Sequence, residues 1–460
     1  MSRTQDFTTG NVTKQIILFS LPMLVGNLFQ QVYSMANAMI VGRLIDGDAL
    51  AAVGASMPLQ MFFLGVLIGL TTGASVLISQ LFGAREEQQL KRAVSTSVLF
   101  LSFLGVIISA VGVIFAPGLL RMMSTPEPVF EEAVVYFRIS MAGTIFQMIY
   151  NVYSAYLRAL GDSKTPLVFL VLSTILNAGL DVLSIAVLHM GVAGTAISTV
   201  LSQSLAGLAC YIYAGRKVPM LRITKLVFDR ALLKTVLRYS LPAAVQFSLT
   251  SLAGLTIVRL VNSFGASAAA GYTAATRIDM FATMPLSNIS MAISTFVGQN
   301  MGAGREDRAQ KGLKSGMVSM IIIGAVVSVL ALVFGRWMIA QFVDVTDPHF
   351  TEIVQVGVDY LMVIALFYTL FSVFFGFNGF FRGVGDAIVV MSLTIFSLTI
   401  RAVSAYLLVS FAGMGPEAVA WSIPIGWGLC SAFAWLYHKK RWWAGKVAVQ
   451  RTRQAEAEAE

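Results

Sequence analysis

An amide and a carboxylate lie four residues apart within an apolar stretch in the first half of this sequence. Asn177 and Asp181 belong to TILNAGLDVL, residues 174–183, and this spacing places both side chains on one face of a helix. Placing a carboxylate at the centre of a bilayer costs about 2.5–3.5 kcal/mol of insertion free energy. Such a group therefore usually has a bonding partner, lines a water-filled cavity or has a functional role. Burial disfavours its charged form, which brings proton exchange near neutral pH within reach. The alternatives are a helix cap or an ion pair with Arg138.

A second set of polar residues interrupts the first long apolar stretch, SLPMLVGNLFQQVYSMANAMIVGRL at residues 20–44. On a helix these side chains form one broad stripe. Because amides are unsuited to lipid, we expect the stripe to face a bundle interior or a water-filled cavity. There the side chains would hold waters, a cation or the polar end of a substrate, or would bond neighbouring helices together. The stripe comprises Asn27, Gln30, Gln31, Ser34 and Asn37.

Other residues would shape a cavity without acid–base chemistry. Tyr33, Met35 and Phe281 would supply a soft wall that adapts to several ligands. Arg277 would line the cavity or close a buried ion pair, the two roles being equally open. Asp279 follows two residues later and therefore points to a different side of the helix.

Two prolines lie near the starts of the first and seventh apolar stretches. Pro22 and Pro242 follow the same dipeptide, Ser-Leu. Proline is tolerated in the first turn of a helix and bends the helix when it lies farther in. We interpret both prolines as candidate bending or gating points.

The composition indicates what kind of protein positions these residues. The chain has 460 residues, of which 57% are hydrophobic and 12% are charged, and its mean hydropathy is +0.77. That is too apolar for a soluble domain, and the apolar stretches have helical length without the alternation of barrel strands. We predict an all-α integral membrane protein with twelve transmembrane helices. The spans are 15–42, 50–82, 93–116, 128–157, 165–188, 191–215, 235–262, 267–299, 314–343, 353–381, 387–411 and 414–437.

The basic residues explain the net charge of +9. They concentrate at the two termini and in the loops that follow even-numbered spans, whereas the opposite loops hold only Arg43, Arg121 and Arg336. This positive-inside bias predicts a multi-pass protein of a bacterial-type inner (plasma) membrane with both termini in the cytoplasm. It accounts for the charge without a nucleic-acid partner.

The two halves of the chain repeat each other. SQLFGAREE at 79–87 returns as GQNMGAGRED at 298–307, and RALGD at 158–162 returns as RGVGD at 382–386. A duplicated six-span unit enters the membrane twice in one orientation, which predicts two six-helix bundles related by a pseudo-two-fold along the membrane normal, as in secondary transporters. The predicted domains are an N-terminal lobe at 1–215, a basic linker at 216–234, a C-terminal lobe at 235–440 and a cytoplasmic tail at 441–460. The linker is interpreted as bound to anionic lipid or, alternatively, as simply solvated.

These motifs resemble those of the multidrug and toxic compound extrusion (MATE) transporters over essentially the whole chain. The shared motifs are VGR at the end of the first span, the paired LFGAREE and MGAGRED loops, RALGDSKTP and LNAGLD. The chain looks most like the DinF-like branch, since Arg277 falls within AATRIDMFATMP. The resemblance implies a secondary active exporter that antiports cationic or amphipathic organic compounds against inward H⁺ or Na⁺ by alternating access.

The resemblance also implies a site in the N-terminal lobe, lined by Asn151 and Thr199 together with Asn37, Asn177 and Asp181. The family commonly has aspartate at the position of Asn37. An amide cannot titrate, so a proton-carrying role falls to Asp181. Oxygens of Asp181, Asn177 and Asn37 could equally hold Na⁺. The sodium-coupled branch has carboxylates in spans seven and ten, and the matching stretches here have none, which favours an N-terminal ion site.

Two other functions remain as alternatives. A lipid-linked saccharide flippase of the same superfamily would need a cationic groove, and only four basic residues fall inside spans. A membrane enzyme or receptor is disfavoured by the duplication and by the lack of a catalytic constellation. We therefore expect no enzymatic activity and no cofactor. The expected partners are small organic cations or amphipathic drugs, H⁺ or Na⁺ and the bilayer, with the chain a monomer.

Overall fold

The computed structural model describes residues 4–44 and 47–447, without the side chains of 35–44, 47, 48, 50 and 255. The described chain is helical, with short turns between helices. Hydrogen bonds within each helix satisfy its backbone, as a membrane span requires. The helices are Val12–Leu44 (α1), Gly47–Gly83 (α2), Glu87–Met122 (α3), Glu127–Ala142 (α4), Thr144–Ala159 (α5), Lys164–Val182 (α6), Gly191–Lys217 (α7), Arg230–Asn262 (α8), Ala266–Gly302 (α9), Glu306–Ala340 (α10), Phe350–Ala365 (α11), Tyr368–Val384 (α12), Ala387–Ala412 (α13) and Glu417–Lys439 (α14).

Ten of the described helices are each long and apolar enough to cross a membrane. Two further spans are broken: α4 and α5 meet at 44°, and α11 and α12 meet at 55°. The first break falls at Gly143 and the second at Leu366 and Phe367. Counting each bent pair as one span gives twelve. The predicted all-α membrane protein with twelve transmembrane helices is confirmed, and the broken span is the fourth of each half.

Both candidate bending prolines lie well inside their helices. Helix α1 begins at Val12 and α8 begins at Arg230, so neither Pro22 nor Pro242 falls in a first turn. The backbone stays helical through both prolines. The placement is compatible with bending, and the gating role stays a prediction.

The chain packs as two compact units. Unit 1 comprises the residues up to Asp6 together with Leu21–Ser248, and unit 2 comprises Phe7–Ser20 and the chain from Leu249 onward. The beginnings of α1 and α8 therefore belong to different units from the helices' ends. The domain limits drawn from the sequence stay a prediction.

Unit 1 contains a close approach between α2 and α8. A Cβ atom added to Gly73 would lie 2.4 Å from the Cα atom of Ser240, and one added to Gly69 would lie 2.4 Å from the Cα atom of Ala244. The Ser240 hydroxyl donates to the Leu70 carbonyl across this contact at 2.8 Å. Small residues thus let the two backbones touch, as in tightly packed membrane helices.

The basic linker of unit 1 is docked on α3. Ser95 and Thr96 accept hydrogen bonds from the backbone amides of Val227 and Asp229 at 2.8 and 3.0 Å. The Asp229 carboxylate then caps the start of α8. The side chain of Phe228 remains exposed, and lipid anchoring of this segment stays a prediction.

In unit 2 the GQNMGAGRED loop and the helices beside it hold the N-terminal segment Phe7–Ser20. The Phe7 amide donates to Gln299 Oε1 at 2.9 Å, and the Phe7 carbonyl accepts from Asn300 Nδ2 at 3.1 Å and Arg308 Nε at 3.0 Å. The Phe7 side chain is buried. Arg308 also donates to the carbonyls of Thr9 and Gly10. Part of this motif, Gln299 and Asn300, therefore binds the N-terminal segment.

Candidate functional site

Asp181 and Asn177 lie together near the end of α6. Asp181 is completely buried and Asn177 is 5% exposed, so the four-residue spacing does place both on one inward face. Immediately after Asp181 the helix widens into a π-helical turn at Leu183–Val187. Such turns recur at functional sites because they redirect neighbouring side chains.

The first helix supplies the partner of this carboxylate. The Tyr33 hydroxyl of α1 donates a hydrogen bond to Asp181 Oδ2 at 2.9 Å and also contacts Asn177 Oδ1. Asp181 Oδ1 and Asn177 Nδ2 are buried without a hydrogen-bond partner among the described residues. A buried polar atom left unbonded calls for an explanation. Here the free carboxylate oxygen can accept a proton or contact a cation.

Two serine hydroxyls lie next to Asp181. The Ser184 hydroxyl lies 3.1 Å from that of Ser198 and bonds the Asp181 carbonyl, which joins the π-helical turn to α7. Ser198 lies beside the Asp181 carboxylate. A Cβ atom at Gly194 would lie 2.9 Å from the Ser184 Oγ atom. Glycine at this position thus lets α7 approach the site.

Two more polar side chains complete the surroundings. Tyr136 of α4 lies close enough for its hydroxyl to interact electrostatically with Asp181. Gln60 of α2 lies beside the Tyr136 hydroxyl. Neither residue was singled out from the sequence, because each is an isolated polar residue in an apolar span. Helices α1, α4 and α7, together with the π-helical turn, therefore surround the Asp181 carboxylate of α6.

Neither structural alternative for Asp181 is found. The Arg138 guanidinium donates from Nε to the Val113 carbonyl at 3.3 Å, and no ion pair joins it to Asp181 among the described residues. The carboxylate accepts from a tyrosine hydroxyl and caps no described helix. The acid is thus buried without a fixed countercharge in the described part of unit 1.

Among the described residues, the structure does not show the other predicted ion-site residues in contact with Asp181. Asn151 Nδ2 donates to the Gln147 carbonyl and Thr199 Oγ1 to the Thr195 carbonyl, each at 2.9 Å and each within its own helix. The side chain of Asn37 lies outside the described residues. Only Asn177 and Asp181 of the predicted ion set are therefore seen in one polar contact group, and the rest of the set stays a prediction.

The predicted cavity residues of α1 lie on its accessible side. Gln30 and Ser34 are exposed, and Gln31 and Tyr33 are half-buried. Asn27 is exposed as well and has a bonding partner. Met35 lies outside the described side chains. The stripe is therefore accessible on unit 1, and its contact with substrate stays a prediction.

Unit 2 has a cavity near the start of α9. It measures about 430 Å³ and is lined by Arg277 and Phe342 with Thr273 and three alanines. Phe281 lies one turn farther along α9 and is half-buried. Asp279 faces another side and accepts a hydrogen bond from Tyr368. Arg277 and Asp279 therefore point apart, as their spacing indicated.

The comparison with known families agrees with this architecture. The MatE family model matches residues 22–183 and 242–407, one block in each half of the chain. The chain belongs to the MatE family. This is the family indicated by the sequence motifs, and its MATE members are membrane transporters, which places the chain among multi-pass membrane transport proteins.

Full-length relatives and solved MATE structures resemble the chain throughout. The probable multidrug resistance protein YpnP of Bacillus subtilis is 32% identical over 98% of this chain and 100% of its own length. A multidrug resistance MATE transporter in an outward-facing conformation is 25% identical, with a TM-score of 0.88 over 96% of this chain and 98% of its own. A Pyrococcus furiosus transporter of the MOP superfamily is also 25% identical, with a TM-score of 0.87 over the same shares. Its binding pocket is described as having reverse polarity, which suggests a different function for that protein.

Proposed function

We propose that this MATE protein is a secondary active multidrug exporter that antiports cationic or amphipathic organic compounds against inward H⁺ or Na⁺. The observation that carries the proposal is the buried Asp181 carboxylate, which has one oxygen bonded to Tyr33 and the other unbonded among the described residues. The name of the Bacillus subtilis relative supports the substrate class. The protein would act in the plasma membrane with both termini in the cytoplasm, as a monomer.

Asp181 is the proposed coupling residue. As an ionised group it accepts the Tyr33 hydrogen bond, and binding of a proton or Na⁺ removes its net charge. The change alters the strength of the contact between α1 and α6, so it biases the equilibrium between two arrangements of α1. Sodium would take oxygen ligands from Asp181 and Asn177, with Asn37 as a further candidate.

The proposed substrate path uses the accessible polar side of α1. Gln30, Gln31 and Ser34 offer hydrogen bonds without a fixed charge, and Tyr33 and Met35 offer soft apolar surface. Such a lining fits ligands that share positive charge and apolar area and differ in shape. Arg277 and Phe281 of unit 2 remain proposed substrate contacts.

A lipid-linked saccharide flippase is the second candidate. It is favoured by the exposed Arg277 guanidinium on the 430 Å³ cavity of unit 2, which would suit an anionic headgroup. A single accessible arginine is a weak match for a diphosphate. The acid without a fixed countercharge in unit 1 favours the exporter.

Proteoliposomes with separately imposed pH and Na⁺ gradients, tested over a panel of organic cations, examine both candidates. We expect one gradient to drive export in the wild type and Asp181→Asn to abolish it. Asp359→Asn, which removes an exposed carboxylate bonded to Gln355, serves as the control and retains export. Retained export in Asp181→Asn, together with altered export in Asn37→Asp, would move the coupling role away from Asp181.

A further inference from the structure

A second carboxylate is surrounded by polar side chains inside unit 2. Asp279 of α9 accepts a hydrogen bond from the Tyr368 hydroxyl of α12 at 3.0 Å. Tyr368 is completely buried and Tyr360 of α11 is 4% exposed. Tyr360 also packs edge-on against Tyr272, and its hydroxyl interacts electrostatically with Asp279. The arrangement of acid and tyrosine parallels that of Asp181 and Tyr33.

Unlike the first carboxylate, Asp279 has a basic neighbour. The Arg401 guanidinium of α13 acts electrostatically on both Asp279 and Tyr360. The described residues form no direct ion pair between Arg401 and Asp279, and Arg401 Nε is buried without a partner among them. The cluster therefore contains one positive and one negative group whose charges interact, with no ion pair between them among the described residues.

The internal repeat relates this cluster to the surroundings of Asp181. Gln80 of SQLFGAREE aligns with Gln299 of GQNMGAGRED, and the same offset pairs Gln60 with Asp279. Gln60 is the side chain that lies beside Tyr136, the tyrosine near Asp181 in unit 1. An amide in one half of the chain is thus replaced by an acid in the other.

The alignment of the second motif gives two further pairs. Arg158 of RALGD aligns with Arg382 of RGVGD, and that offset pairs Tyr136 with Tyr360 and Asn177 with Arg401. The amide beside the acid in unit 1 is therefore a guanidinium in unit 2. The same offset pairs Asp181 itself with Ala405, which is completely buried.

We propose that Arg401 is a tethered counter-cation for Asp279, which keeps the unit 2 cluster from binding a coupling ion and so sets how many ions the transporter uses. A guanidinium remains protonated at every physiological pH, so its charge stays in the cluster throughout a transport cycle. A proton or Na⁺ that approached Asp279 would meet that fixed charge. Loss of the guanidinium opens a cation site at Asp279, with Tyr368 and Tyr360 as further oxygen donors.

Cation binding to the purified full-length protein tests this inference, with ²²Na⁺ and with H⁺ uptake as the probes. The role of Arg401 in setting ion number rests on the proposed function of Asp181, so the test uses an Asp181→Asn background. We expect the Asp181→Asn protein to bind no Na⁺, and the Asp181→Asn/Arg401→Asn protein to bind one more cation per chain, Na⁺ or H⁺, than the Asp181→Asn protein does. Addition of Asp279→Asn should remove it. Arg401→Lys in the same background keeps the charge and should gain none.

The outcomes separate this inference from the proposed function. A folded Asp181→Asn/Arg401→Asn protein that binds no cation overturns the role of Arg401, as does a cation bound at Asp279 while Arg401 is intact. Equal binding by wild type and Asp181→Asn instead overturns the proposed coupling role of Asp181, and leaves the Arg401 effect measurable.

Charge balance gives an independent readout that does not depend on transport. Arg401→Asn and Asp279→Asn each leave one partly buried charge without its opposite, so each should lower the thermal unfolding midpoint. The double variant restores neutrality and should recover much of the loss, a coupling that a double-mutant cycle measures. Losses that simply add would contradict a charge partnership between the two residues.

Discussion

The Tyr33 hydroxyl lies 2.9 Å from Asp181 Oδ2, although 148 residues separate the two in sequence. The contact joins the middle of α1 to the end of α6, next to the π-helical turn. Because the bond strengthens when the acceptor is ionised, its strength depends on what occupies the carboxylate. In the proposed mechanism, this contact converts ion binding at Asp181 into a change in the strength of the hydrogen bond between α1 and α6.

Removal of the Tyr33 hydroxyl should weaken that coupling. A hydrogen bond to a charged group contributes about 1.5–3 kcal/mol, so Tyr33→Phe should slow gradient-driven export by roughly ten-fold or more. Export from proteoliposomes measures the effect. Tyr211→Phe, which alters an exposed tyrosine of the same unit, is the control. Equal rates in the two variants would show that the bond does not serve transport.

The close contact between α2 and α8 should not tolerate a methyl group. Gly73→Ala places a Cβ atom 2.4 Å from the Ser240 backbone, and overpacking of this kind costs about 1–3 kcal/mol. A thermal unfolding midpoint well below that of the wild type is expected in detergent. Gly54→Ala on the same helix has no atom within 4 Å of the added carbon and should unfold like the wild type.

Arg308 should determine how tightly the N-terminal segment is held. Arg308→Ala removes donors to the carbonyls of Phe7, Thr9 and Gly10. Hydrogen exchange in Phe7–Ser20 should therefore accelerate at least ten-fold relative to wild type. Lys311→Ala changes an exposed residue of the same helix and should leave exchange unchanged; faster exchange in both variants would point to a general loss of α10.

The loop before α11 should respond to acid. The Thr346 backbone N–H, and then its hydroxyl, donate to Asp344 and hold the pKa of this exposed carboxyl below its usual range. The turn's contribution is present above the ordinary aspartate pKa of about 3.9 and disappears as the pH falls through the lowered value. Protection of the Thr346 amide should follow this course, and Asp344→Asn should remove its pH dependence.

The transmembrane architecture was predictable because each span carries its own signal, an apolar run of sufficient length. The breaks in the fourth and tenth spans were not. Gly143 is an ordinary glycine in sequence, and Leu366 and Phe367 carry no helix-breaking signal. At Gly143 an added Cβ atom would lie 2.3 Å from the Val200 Cγ2 atom of α7, a close packing between helices that a local pattern does not contain.

For the candidate site, the sequence predicted only which side chains of one helix share a face. The spacing of Asn177 and Asp181 indicated one face, yet Tyr33 was assigned to the cavity wall rather than to the carboxylate. Partners on other helices follow from three-dimensional packing. The internal repeat held an unused signal, since aligning the halves pairs Asn177 with Arg401 and marks the second cluster.

The seating of Phe7 on Gln299, a residue 292 positions later, sets an order of events during synthesis. The ribosome releases the N-terminal segment long before α9 and α10 exist to receive it. Phe7 must therefore remain exposed to lipid, water or a chaperone until most of the protein has been translated. A product terminated after Ser248 would leave that segment permanently unseated and open to proteolysis.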